Sequence, residues 1–198
     1  MSSTSSSVRS QAVLVASLIV AAAVFRVLRA AYLPELPNFS PVMAIAFCGG
    51  LFIPGVLAWL VPLATLFLSD LALALLLGYP LAGAAQAGGW LCLIAGVGAG
   101  RWLAGRPAAG MGSFLALLVG NALLFYLVTN SLCWVMERAY PRGFAGWLQS
   151  VTLGLPGFPP AWTFFRNALF SDLIFAGLIL AVRWAAFRQP LVPVRVRS

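Results

Sequence analysis

The sequence predicts an all-α polytopic membrane protein, a bundle of six transmembrane helices, and three observations carry that expectation. Of the 198 residues, 62% are hydrophobic and 8% charged, against about 45–50% and about 25% in ordinary soluble domains. The apolar residues lie in long runs separated by Pro- and Gly-rich breaks. A hydrocarbon layer about 30 Å thick needs about 20 apolar residues per helix, so the length fits six crossings with little left for a second domain. The net charge of +8 arises from 12 basic residues, all arginine, against 4 acidic ones. In such a chain a basic excess orients the protein in the bilayer, its first partner, rather than binding nucleic acid. Soluble enzymes are set aside on the same grounds.

Residues 1–9 (MSSTSSSVR) are polar and Ser-rich and read as a disordered tail. Helix 1 covers about residues 10–33. Ala21, Ala22 and Ala23 resemble a signal-peptide cleavage site, but the apolar run continues past them through Val24, Phe25, Val27 and Leu28, which favours a retained helix. PELPNFSP at residues 34–41 breaks the chain with three prolines. Ser40 and Pro41 then read as N-cap and first residue of helix 2, about 41–53. Pro54-Gly55 is a turn, helix 3 follows at about 56–77, and Gly78-Tyr79-Pro80 ends it. Helix 4 is placed at about 83–103 and helix 5 at about 113–136. Residues 137–162 form a long Pro-, Gly- and Trp-bearing loop with an interfacial character. Helix 6 occupies about 163–187, and 188–198 is an Arg-bearing cytoplasmic tail.

Arginine placement orients this bundle. With a cytoplasmic N-terminus, Arg9, Arg101, Arg106, Arg183, Arg188, Arg195 and Arg197 lie inside, against Arg26, Arg29, Arg138, Arg142 and Arg166 outside. Arg26 and Arg166 fall within helices and weigh less as flanking charge. Both termini are therefore expected in the cytoplasm.

Several chemistries are absent. With no histidine, Ser/His, Cys/His and His-ligated metal sites cannot be built. Cys48, Cys92 and Cys133 fall singly in three apolar stretches and read as small hydrophobes, so neither a metal nor a cofactor is expected. No GxxxxGK[ST] loop is present to bind ATP.

At about 1.5 Å per residue, the intramembrane polar residues collect at one depth. Arg26, Arg29, Asn38, Ser40, Asp70, Asn130, Arg166, Asn167 and Asp172 all fall in the outer half, with Trp134 beside them as an apolar wall. Buried charges in hydrocarbon mark either a wetted cavity or an ion-pair network. Structural glue is the competing reading: Arg26 or Arg166 paired with Asp70 or Asp172, and Asn121, Asn130 and Asn167 bonding between helices. The break before helix 2 favours a cavity, because the first N–H groups of that helix are unpaired and suit a carboxylate or phosphate. Ser69-Asp70-Leu71 recurs as Ser171-Asp172-Leu173, a match that three residues in a Leu-rich chain attribute to chance. Small residues recur at four-residue spacing in helix 1 (Ala12 and Ala16, Ser17 and Ala21) and helix 4 (Gly96, Gly100), which permits close helix approach.

The order Arg26, Pro37-Asn38-Phe39-Ser40-Pro41-Val42, Gly49-Gly50, Ser69-Asp70, Thr129-Asn130, Trp134, Tyr140-Pro141, Phe165-Arg166-Asn167 and Ser171-Asp172 resembles an uncharacterised family of six-helix bacterial inner-membrane proteins. That architecture in turn resembles the S components of energy-coupling-factor transporters. The resemblance implies an S-component-like bundle with an outward pocket lidded by the loop between helices 1 and 2. It also implies a membrane-embedded coupling partner docked on helix 1 at Ala12 and Ala16. The ligand motifs of the vitamin-binding members are missing.

Two readings compete with a solute-binding component. An intramembrane aspartyl enzyme would have Asp70 and Asp172 share a proton, but a nearby arginine keeps a carboxylate ionised and the flanking GxGD pattern is absent. An envelope scaffold would use the interfacial loop and the Arg-rich tail. A non-enzymatic binder of a small polar or anionic solute is the expectation.

Overall fold

The computed structural model describes the backbone of residues 2–106 and 110–187, and the side chains of residues 17–185 apart from Ala85 and 107–109. Seven helices are present among the described residues: α1 (Ser2–Tyr32), α2 (Val42–Phe52), α3 (Leu57–Leu77), α4 (Ala84–Ala104), α5 (Met111–Met136), α6 (Phe144–Ser150) and α7 (Ala161–Phe187). The tail expected at 188–198 and the docking residues Ala12 and Ala16 lie outside the described side chains.

Three of these helices, α3, α5 and α7, are long and apolar enough to cross a membrane. Their outer faces carry exposed large hydrophobes such as Phe67, Leu75, Leu124 and Leu178, which suits lipid rather than water. α2 departs from the expected crossing. Its 11 residues span about 16 Å at 1.5 Å per residue, roughly half a hydrocarbon layer. Nearly all of it is buried, from Val42 through Leu51.

α2 is therefore the core. Ala44, Phe47, Cys48 and Leu51 pack against Leu103 of α4, Phe114 and Leu118 of α5, and Ala176 and Leu180 of α7. Val42, Met43 and Ala46 meet Ala58 and Leu66 of α3 and Cys92, Leu93 and Val97 of α4. Such enclosure requires backbones to touch. A Cβ on Gly50 would land on the Val97 carbonyl, and one on Gly100 would land on the Phe47 carbonyl. The small-residue spacing of helix 4 thus serves packing inside this chain. On α1, the described members of the other pair, Ser17 and Ala21, are exposed.

Two boundaries differ from expectation. Residues 2–9 continue α1 rather than forming a disordered tail; serine is only moderately unfavourable in helices and the Ala-rich run beyond it propagates the turn. Residues 144–150 of the long loop close into α6.

Candidate functional site

One end of the bundle encloses a cavity of about 630 Å³. Its walls come from the C-terminal part of α1 (Arg26, Arg29), the connecting coil (Asn38, Ser40), the start of α2 (Val42, Met43) and the distal half of α3 (Leu66, Asp70, Leu73). The start of α4, the end of α5 (Phe125, Thr129, Asn130, Cys133), Tyr140, residues of the segment 154–161, and Ser171 and Asp172 of α7 complete them.

On one side α1 is tied to α3. Arg26 Nη1 lies 2.8 Å from Asp70 Oδ1, with the two side chains 15% and 14% exposed. The same nitrogen donates to Ser69 Oγ, and Ser69 Oγ in turn donates to the Thr65 carbonyl at 2.6 Å. Neighbouring positions on one helical turn thus receive one guanidinium, which matches its several donors.

On the other side α7 holds the broken segment. Asn167 Nδ2 donates to the Pro37 carbonyl at 3.0 Å, and Ser171 Oγ donates to the Ser40 carbonyl at 3.1 Å. The donors are four residues apart and so share a face. Asp172, one position on, accepts from the Ala44 backbone N–H. Irregular backbone within a membrane protein is tolerated where protein satisfies its polar groups or where it lines a cavity, and the coil over 33–41 meets both conditions. Asn38 adopts φ 62° within it, a left-handed conformation that Asn tolerates better than most side chains. Phe25, Phe39 and Phe175 pack ring to ring with centroids 5.1–6.2 Å apart, joining coil, α1 and α7.

A strap closes the third side. Tyr126 Oη donates to the Val151 carbonyl, Trp147 Nε1 donates to Ser131 Oγ at 3.0 Å, and Trp134 Nε1 donates to the Pro141 carbonyl at 3.0 Å. Arg142 Nη1 donates to the carbonyls of Trp134 and Val135 at 3.2 and 2.9 Å, answering the open end of α5. Within the strap, burial and then the neighbouring Cys133 and Glu137 push the Tyr140 phenol above its ordinary value, so it remains a hydrogen-bond donor at the cavity wall.

A family of unknown function, DUF6580, matches over residues 6–193. The chain belongs to that family. No curated protein and no solved structure matches it.

In this DUF6580 member the cavity gathers Arg26, Arg29, Asn38, Ser40, Asp70, Asn130 and Asp172. Three expected site residues stand outside its lining. Arg166 is exposed, reaching Asn167 Oδ1 at 3.1 Å and lying 5.4 Å from the Trp162 ring centre; a helix-start position turned outward leaves it no carboxylate. Asn167 anchors the coil, and Trp134 fastens the strap. Asn130 bonds within its own helix, to the Tyr126 carbonyl at 2.8 Å.

Capping of α2 also differs from expectation. Pro41 is the N-cap and makes no side-chain cap bond, while Ser40 Oγ only weakly meets the Val42 N–H, at 3.4 Å. The Asp172 carboxyl group meets the backbone N–H of Ala44 in the first turn of this helix. The recurring Ser-Asp pairs consequently share a task. Each fastens its own helix to an earlier part of the chain: Ser69 and Asp70 tie α3 to α1, and Ser171 and Asp172 tie α7 to the coil and α2. Sequence reasoning missed Tyr79, Gln86, Thr129 and Ser171 as wall residues, whereas Tyr140, expected as wall beside Trp134, lines the cavity. Among the described residues no group of three or more Cys, Asp or Glu side chains is placed to hold a metal ion.

Proposed function

We propose that this protein is the solute-binding component of a membrane transport system, taking a small polar or anionic solute into the cavity between α1, α2, α3, α5 and α7. The observation that carries the reading is the cavity itself. Its wall concentrates two arginines, two aspartates and three amide or hydroxyl side chains from separate chain regions (Arg26, Arg29, Asp70, Asp172, Asn38, Asn130 and Ser40). Such groups are expensive at membrane depth unless a polar cavity uses them.

In this reading the bundle is S-component-like and crosses the membrane six times, with α6 lying at the interface and the coil over 33–41 completing the crossing that α2 begins. Arginine placement favours both termini in the cytoplasm of a bacterial inner membrane and a cavity facing outward. Having no nucleotide-binding loop, the chain depends on a membrane-embedded coupling partner for transport, with α1 as the docking helix. An aspartyl enzyme is disfavoured, since Asp70 is held by Arg26 and is not free to share a proton with Asp172.

The test is ligand-dependent stabilisation of the purified protein. Melting of the full chain in detergent against a panel of small carboxylates, phosphates, amino acids and neutral polar metabolites should show a rise with at least one class. Saturation at 100 times Kd contributes about 2.7 kcal/mol. A panel without a single shift, together with native-membrane preparations carrying no bound small molecule by mass spectrometry, removes the reading.

A further inference from the structure

The charge of the solute can be read from two atoms of the cavity wall, an inference that rests on the solute-binding reading above. Asp172 is 1% exposed and lines the cavity. Its carboxylate accepts the Ala44 N–H, yet Oδ2 is buried without a hydrogen-bond partner. Arg29 lines the same cavity from α1, and its Nε is likewise buried and without a partner.

The remaining charges of the wall are differently placed. Arg26 and Asp70 neutralise each other, and Glu137 is exposed beyond the end of α5. A buried polar group with an unmade hydrogen bond is unfavourable, so the cavity carries one unfilled donor on the Arg29 guanidinium and one unfilled oxygen on the Asp172 carboxyl group, which needs a cationic partner to be held ionised in so buried a place. A simple anion would answer Arg29 and leave the Asp172 carboxyl group without the cationic partner that its ionised form needs. A simple cation would do the reverse. The Ala44 N–H in the first turn of α2 is already met by the chain's own Asp172 carboxyl group. Met43, Leu66, Leu73, Phe125 and Phe164 contribute apolar wall, and the volume exceeds what a bare inorganic ion needs.

We propose that the cavity binds a small zwitterion with an apolar body, its anionic group on Arg29 and its ammonium or other cationic N–H group on Asp172. The ligand then completes both interrupted hydrogen-bond sets at once. It also brings no net charge into the membrane.

Matched probes test this on the full-length protein in detergent, by calorimetry and melting shift. Phenylalanine, tryptophan and phenylalanyl-leucine serve as zwitterions, the corresponding deaminated acids as monoanions, and the corresponding decarboxylated amines as monocations. The zwitterions should bind about tenfold or more tightly than either partner, the loss expected for one charge-assisted hydrogen bond. Arg29→Gln should abolish the preference over the amine, and Asp172→Asn the preference over the acid. An acid or an amine that binds as tightly as its zwitterion overturns the proposal while leaving solute binding intact. Absence of binding by all three classes counts against both. Should Asp172→Asn fail to fold through loss of its bond to α2, the wild-type comparison and Arg29→Gln decide the matter.

Discussion

Ser171 on α7 donates its hydroxyl hydrogen to the carbonyl of Ser40, 131 positions earlier in the chain. Four residues away, Asn167 makes the corresponding bond to Pro37. Together they give the broken segment before α2 two of the partners that a helix would have supplied. Replacing Asn167 and Ser171 with alanine should cost about 1 kcal/mol each, the net worth of an ordinary hydrogen bond. It should also raise amide exchange over residues 33–41 well before the rest of the bundle opens. Hydrogen exchange by mass spectrometry checks this; uniform acceleration along the chain would contradict local anchoring.

The Arg26–Asp70 pair is partly buried, between the limits of a surface bridge and an enclosed one. Asp70→Asn alone should lower stability by about 2 kcal/mol, because it strands the guanidinium. The double variant Arg26→Met with Asp70→Asn should recover most of that loss. Unfolding of all four members of the cycle in the same detergent measures the coupling, and purely additive effects would show that the pair is not an energetic unit.

At the crossing of α2 and α4, Gly100→Ala places a methyl group on the Phe47 carbonyl, whereas a methyl at Gly98 meets nothing within 4 Å. The first substitution should cost at least about 2 kcal/mol through forced separation of the helices, and the second should be neutral or slightly stabilising. Thermal unfolding compares them directly. Similar melting of the two variants would mean that the backbones are not in contact there.

Arg166 separates two views of the arginines. Exposed and stacked near Trp162, it should tolerate Arg166→Gln with solute affinity unchanged within about twofold, while Arg29→Gln weakens binding by about tenfold or more. The contrast is measured by the same titration on both variants. Equal losses would place Arg166 at the site after all.

The helical class and the membrane character were legible because composition and run length constrain them directly: α3 and α7 end within two residues of their expected limits, and α5 starts two residues early. Depth counting also brought Arg26, Arg29, Asn38, Ser40, Asp70, Asn130 and Asp172 to one cavity. What depth cannot supply is azimuth. Arg166 and Asp172 differ by six positions, which on a helix of 3.6 residues per turn points them in quite different directions, and only packing decided which faced inward. The role of the Ser-Asp recurrence was hidden for a similar reason. Three identical residues carry no weight in the sequence, whereas their hydrogen bonds to Arg26, Ser40 and Ala44 carry a great deal. The short α2 was underestimated as well, since an apolar segment does not reveal whether it meets lipid or is wrapped by other helices.

The partners of the coil at Pro37 and Ser40 sit about 130 residues downstream, on the last helix. During synthesis the segment between α1 and α2 therefore leaves the ribosome long before the side chains that meet the Pro37 and Ser40 carbonyls exist. The cavity wall is complete only once α7 is present, whereas the partners Arg26 and Asp70 both belong to the first three helices. A chain stopped before α7 would lack both anchors of the coil and the α7 part of the cavity wall, so the cavity exists only in the finished bundle.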